Sequence, residues 1–226
     1  MAEPHGTIIN RGARGALAPL GLKRKGQSRF WHDDYGWRAF FVDFQPSSWS
    51  KGTYCNVGAS WLWDSTAGSG VWPFHVSERV GTPGGQFVSF DRDPNGFDEL
   101  VLHMAADAAR EIVRLRGLFS DLAAVAAYYE DQPATGWPGY HGAVALGLTG
   151  RRKEAAARFK AVAKDSAGSE IEWVRRLSAS AASLAELSSD ATAFARAIED
   201  QVALTRVGHR MRAIEHPFSL EGPTPL

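Results

Sequence analysis

The strongest constraint on the fold comes from residues 38–45, whose side chains alternate between two faces along the chain. One face carries Phe40 and Phe44, so the period of two predicts a β-strand with this side against a core. Phe41 lies on the other face and indicates that this face is also partly covered. The segment therefore predicts a strand inside an antiparallel sheet.

Turn-forming residues bound this strand on both sides. The segments 33–36 and 46–48 are rich in Asp, Gly, Pro and Ser, so we expect further antiparallel strands before and after it. The glycines and prolines of 64–83 predict an irregular loop instead. The further strands are predicted to start at Phe30 and to cover 54–63 and 86–90.

A helical period replaces the period of two from Asp98 onward, and it also marks one segment before the sheet. Asp98 is expected to cap the first of the later helices, and Ser169 to open a capping box. The predicted helices cover 8–20, 98–116, 120–130, 138–148, 152–164, 169–187 and 190–214.

These patterns predict an α+β protein. Residues 1–117 are expected to form an antiparallel β-sheet module with flanking helices, and residues 118–216 a C-terminal α-helical bundle. The Pro-containing residues 217–226 are expected to form a flexible tail. The patterns leave open whether the two halves share one core.

The charge balance argues against nucleic acid and membranes as partners. Twenty-five basic residues match twenty-five acidic ones, so no net charge would attract a polyanion or an anionic bilayer. The local exception is the acid-free stretch 11–29, which contains Lys23, Arg24 and Lys25. We interpret it as a solvated helix end and turn, with an anion-binding patch as the alternative.

Cys55 is the only cysteine, which excludes an intramolecular disulfide, and its apolar strand predicts a buried side chain. The sequence has no signal-peptide core and no apolar run long enough to span a membrane, so we expect a cytoplasmic location. It also lacks metal-ligand spacing, a phosphate loop and a nucleophile–base set. We therefore expect no metal and no cofactor.

Several short motifs occur in a fixed order: G-L-K-R-K-G at 21–26, Phe30, F-Q-P-S-S-W at 44–49, N-V-G at 56–58 and H-V-S-E-R-V-G at 75–81. In this order they resemble an uncharacterised bacterial family known only as a domain of unknown function (DUF4304-like), over residues 16–116. The resemblance implies a bacterial protein with such an N-terminal module, and it implies no activity.

A second resemblance lies in A-L-G-L-T-G-R-R-K-E-A-A-A-R-F at 145–159, which is similar to the turn and second helix of a tetratricopeptide repeat. No second copy is visible at the repeat spacing of about 34 residues. We interpret the segment as an ordinary helix hairpin, with a repeat-type binding groove as the alternative.

His75, Glu78 and Arg79 form the one cluster that mixes a proton-transfer side chain, a carboxylate and a guanidinium. Together with Arg24 and Lys25 they would suit an anionic small molecule, and His75 and Glu78 are the acid–base candidates if the protein is an enzyme. We nevertheless interpret these residues as an exposed helical turn with an internal Glu–Arg pair, and the anion or acid–base site is the alternative.

The strand predicted over 38–45 ends at a turn that contains Gln45, Ser48 and Trp49. The turn can present these side chains to a ligand. The alternative is that they are there only because turns favour such residue types. Asn56 in the next strand is a further candidate. Trp63 belongs to a series of tryptophans that could all be buried in a core. Because the series is large, we expect some of these indoles to lie at the surface, in an interface with a partner.

The preferred hypothesis is a cytoplasmic bacterial protein-interaction module rather than an enzyme, for which an immunity or defence role is one option. A protein partner of unknown identity would contact the Trp-rich sheet face or the loop 64–83. The first alternative is an enzyme or binder of an anionic small molecule that uses His75, Arg79 and the basic run at 23–25. The second is a helical-repeat adaptor.

Overall fold

The computed structural model describes residues 4–64 and 72–219. The chain divides into two compact units. The first unit comprises Met1–Asp34, Arg38–Ser60 and Phe74–Gly117, and the second comprises Tyr35–Trp37, Trp61–Pro73 and Leu118–Leu226. An antiparallel sheet followed by a run of helices confirms the predicted α+β class.

Within the described residues the sheet contains six short to medium strands. They are β1 (Lys23–Arg24), β2 (Phe30–His32), β3 (Arg38–Gln45), β4 (Gly52–Trp61), β5 (Val76–Val80) and β6 (Val88–Ser89). The helices are α1 (Pro4–Leu17), which a short 3-10 helix continues over Ala18–Leu20, α2 (Phe97–Leu118), α3 (Leu122–Glu130), α4 (Gly136–Leu148), α5 (Arg152–Asp165), α6 (Glu172–Leu187) and α7 (Ala191–Gly208).

The strands are ordered β1-β2-β3-β4-β5, and β6 also pairs with β4. The pairing is antiparallel, with Trp31 opposite Val42 and Asn56 opposite Arg79. Both faces of β3 are buried over most of its length, which agrees with the expectation from Phe41. The predicted burial of Cys55 is also confirmed, because its side chain is 0% exposed.

The structure corrects two local predictions. Strand β5 lies inside the segment 64–83, which was expected to be an irregular loop, and it includes residues expected to form a helical turn. The polar sequence of β5 has no alternation that would predict a strand. The strand forms because its backbone N–H and C=O groups are satisfied by pairing with residues 55–59, which are distant in sequence. Residues 65–71 of the expected loop lie outside the described residues. Lys23–Arg24 is likewise a strand, paired with Trp31 and His32.

Some helix boundaries also differ from the prediction. Helix α1 begins at Pro4 instead of at residue 8. Proline is tolerated there because the backbone N–H groups of a first helical turn have no partner within the helix. Helix α6 begins at Glu172 without a capping box, and Ser169 Oγ instead accepts the N–H of Ile171 at 3.2 Å. Helix α7 ends at Gly208, before the positive φ of 57° at Arg210. Residues 220–226 of the predicted tail lie outside the described residues.

In the second unit, α4 to α7 form the predicted helical bundle. The hydroxyl of Tyr140 on α4 lies 2.9 Å from Ser180 Oγ on α6 and donates to Gln201 on α7 at 3.0 Å. A Cβ at Gly147 on α4 would fall 2.4 Å from the ring of Phe194 on α7. Glycine therefore allows α7 to pack directly against α4.

Candidate functional site

An open cleft of about 500 Å³ lies beside the loop between β3 and β4 in the first unit. It is lined by His5, Arg29, Pro46, Ser47, Ser48, Trp49, Ser50, Lys51, Gly52 and Asp91. These residues come from the first turn of α1, the residue before β2, the β3–β4 loop with the first residue of β4, and the turn after β6.

Asp91 fixes the end of the β3–β4 loop. Its Oδ2 accepts the backbone N–H of Lys51 at 2.8 Å and the hydroxyl of Ser50 at 3.0 Å. The bond from the Lys51 N–H is the largest influence that lowers the pKa of Asp91, so the carboxylate stays ionised. A Cβ at Gly52 would fall 2.2 Å from the carbonyl oxygen of Val88, and only glycine allows this approach to β6.

Arg29 connects the loop with the start of α1. Its Nη1 donates to the carbonyl oxygen of Gly52 at 3.3 Å, and its Nη2 lies 3.2 Å from Nε2 of His5. Because a guanidinium only donates, His5 Nε2 is the acceptor in this contact. Arg29 and Lys51 thus bring two permanent positive charges to the cleft.

Trp49 stands on the rim of the cleft and is 96% exposed. Its backbone N–H donates to Ser47 Oγ at 3.1 Å, which holds the loop in a defined turn. The indole offers a large apolar surface beside the two cations. The arrangement suits a ligand with an apolar part and a negative charge.

The structure brings several predicted site residues together. Ser48 and Trp49 line the cleft, whereas Gln45, just before it, belongs to a polar ladder across β3, β4 and β5. In this ladder Asn56 donates to Gln45 at 3.1 Å and Arg79 donates to Asn56 at 3.1 Å. The guanidinium of Arg79 also lies 4.4 Å from the ring centre of Tyr54.

Other predicted site residues lie far from one another. Lys23 and Arg24 are on β1 and His75 to Arg79 are at β5, the two ends of the strand order. Three strands lie between them, so about 19 Å separates these edges. The structure therefore does not gather the basic run, which includes Lys25, around the cluster of His75, Glu78 and Arg79.

The contacts of these residues are also different from those expected. Glu78 pairs with Arg114 of α2 at 3.1 Å instead of forming an internal pair with Arg79. The guanidinium of Arg24 donates to carbonyl oxygens of its own turn, at Gln27 and at Ser28.

Trp63 offers no surface to a partner, contrary to its place among the interface candidates. It is 0% exposed in the second unit, where its Nε1 donates to His141 Nδ1 at 3.1 Å. Its ring also stacks on Trp37 at 5.2 Å. The other buried tryptophans are Trp31, Trp37, Trp61 and Trp72.

His5, Arg29, Lys51 and Asp91 were not predicted as site residues. They come from four separate segments, and no local spacing links them. The weak signals are the place of Arg29 in the acid-free stretch and that of Lys51 two residues after Trp49.

No family model, curated protein or solved structure matches this chain. The two sequence resemblances therefore stay predictions. Within residues 4–64 and 72–219, no group of His, Cys, Asp and Glu could hold a metal ion. No helix in this part is both long and apolar enough to cross a membrane.

Proposed function

We propose that the first unit is a protein-interaction module and that the β3–β4 loop, residues 46–51, is its contact surface. The observation that carries the proposal is Trp49, which is 96% exposed on the rim of the cleft. An indole in water gains much from burial, and tryptophan is among the residues most enriched at interface hot spots.

The loop is also prepared for binding. Hydrogen bonds from Lys51 and Ser50 to Asp91, and from Trp49 to Ser47, hold its backbone and side chains. A surface that is already ordered loses less conformational entropy when a partner binds. This supports a role for the loop in recognition.

The proposal places the complex in the bacterial cytoplasm, as the sequence predicts. The proposal includes an immunity or defence role as one option, which the identity of the partner would decide.

Quantitative affinity capture tests the proposed module. The wild-type protein, Trp49→Ala and Trp173→Ala would be used as bait in lysate of the source organism, and bound proteins quantified by mass spectrometry. Trp173 on α6 is a matched control, because its indole is 49% exposed on a different element. We expect a partner that Trp49→Ala loses at least tenfold and Trp173→Ala retains. An identical set of bound proteins for all three baits would contradict the proposal.

A further inference from the structure

We propose that the cleft around the β3–β4 loop takes an acidic segment of the partner protein, with an apolar side chain of that segment against Trp49. The inference rests on the function proposed above and names the chemistry of the partner.

Charge is the first argument. Arg29 and Lys51 each bring a positive charge to the cleft, and Asp91 is the one carboxylate among the described residues that line it. The remaining described lining residues are neutral, and they include His5, whose Nε2 accepts from Arg29. The described lining of the cleft is therefore net positive in a protein whose whole sequence has no net charge.

The geometry of Asp91 strengthens this argument. Its Oδ2 already accepts from Lys51 N–H and Ser50 Oγ. The carboxylate is thus engaged with the backbone of the loop, where it orders the cleft. A partner carboxylate would meet the Lys51 side chain and the Arg29 guanidinium near the hydroxyls of Ser47 and Ser48, which can donate to it.

Helix α1 adds a smaller contribution of the same sign. His5 lies in its first turn and lines the cleft. The amino end of a helix carries a partial positive charge, and the described residues of this first turn include no acidic side chain. The helix end therefore favours a negative group in the cleft.

Trp49 distinguishes a peptide segment from a simple anion. An inorganic anion needs no apolar surface, whereas the exposed indole beside the cations suits an apolar residue next to Asp or Glu. Arg29 is part-buried, so its attraction for a carboxylate is less weakened by water than that of a surface pair.

Selection from a random-peptide library displayed on phage tests the inference. Peptides would be selected on the wild-type protein and depleted on Trp49→Ala. We expect the surviving sequences to be rich in Asp and Glu around an apolar residue. Their affinity, measured with synthetic peptides by fluorescence anisotropy, should weaken as the NaCl concentration rises, because salt screens exposed charges.

Charge reversal supplies the control. Lys51→Glu keeps the backbone N–H that Asp91 accepts, and we expect it to weaken peptide binding at least fivefold. Lys160→Glu makes the same change at an exposed residue of α5 and should leave binding unaltered. Thermal melts would verify that both variants fold.

The possible failures are distinguishable. Neutral or basic peptides that still depend on Trp49 would overturn the acidic segment but leave the interaction module standing, as would equal binding by Lys51→Glu. If no peptide depends on Trp49 and a fluorescent oligonucleotide binds instead, the inference and the proposed module are both overturned.

Discussion

Burial opposes ionisation at Asp33 in the first unit, and replacing this residue by asparagine should change how stability depends on pH. Asp33 Oδ2 accepts from Arg116 Nε at 3.1 Å and from Nη2 at 2.7 Å, and Oδ1 accepts the N–H of Phe40 at 2.7 Å. Burial outweighs these contacts and raises the pKa of Asp33 from 3.8 to about 6.

The sign and size of the effect follow from proton linkage. Between pH 3.8 and about 6 the folded protein binds more protons at Asp33 than the unfolded chain does, so stability falls as the pH rises. At roughly 1.4 kcal/mol for each pH unit, ionisation of Asp33 costs the folded state about 3 kcal/mol at neutral pH. The asparagine side chain in Asp33→Asn does not titrate and avoids this cost.

Urea unfolding at a series of pH values, followed by tryptophan fluorescence, measures the effect. The free energy of unfolding of Asp33→Asn minus that of the wild type should increase by about 2–3 kcal/mol between about pH 4 and pH 7.5. In an Arg116→Met background the change should move to higher pH, since Arg116 lowers the pKa. If the difference in unfolding free energy stayed constant or decreased with pH, burial would not be the main influence on the pKa of Asp33.

Three further predictions concern packing. Trp49→Ala should change the free energy of unfolding by less than about 0.5 kcal/mol, whereas Trp63→Ala should lose about 3–5 kcal/mol in urea titrations. Equal losses would contradict the exposures of 96% and 0%. Burial raises the pKa of the Cys55 thiol, so a thiol reagent should label it only at the rate of unfolding, and immediate labelling would disprove this. Gly58→Ala should destabilise the protein by more than about 1 kcal/mol, because a Cβ there would fall 2.2 Å from a backbone carbonyl oxygen. Gly15→Ala, in an open helical position, should stabilise it by about 0.5–1 kcal/mol, and the same sign for both changes in thermal melts would be inconsistent with the packing.

Local periodicity predicted the parts of the fold that depend on local sequence. The alternation around Phe41 indicated a strand covered on both faces, and the helical period indicated the helices, because each pattern reports burial along a regular element. Strand β5 was missed, since Ser77, Glu78 and Arg79 are polar and only pairing with β4 makes them a strand.

The same distinction applies to the candidate site. Ser48 and Trp49 were predicted because a strand end presents its residues to solvent, a local property. Arg29, Lys51 and Asp91 meet only through the packing of distant segments, so no spacing in the sequence could identify them. Trp63 shows the converse, because composition cannot distinguish a buried indole from an exposed one.

Site-specific photocrosslinking in living cells tests the proposed contact surface most directly. A photoreactive phenylalanine analogue would replace Ser48, the exposed neighbour of Trp49 in the β3–β4 loop, in one strain and Trp173, on α6, in another. We predict a crosslinked product of defined mass from position 48 and none from position 173. No product from position 48, or the same products from both positions, would contradict the assignment of the β3–β4 loop as the contact surface.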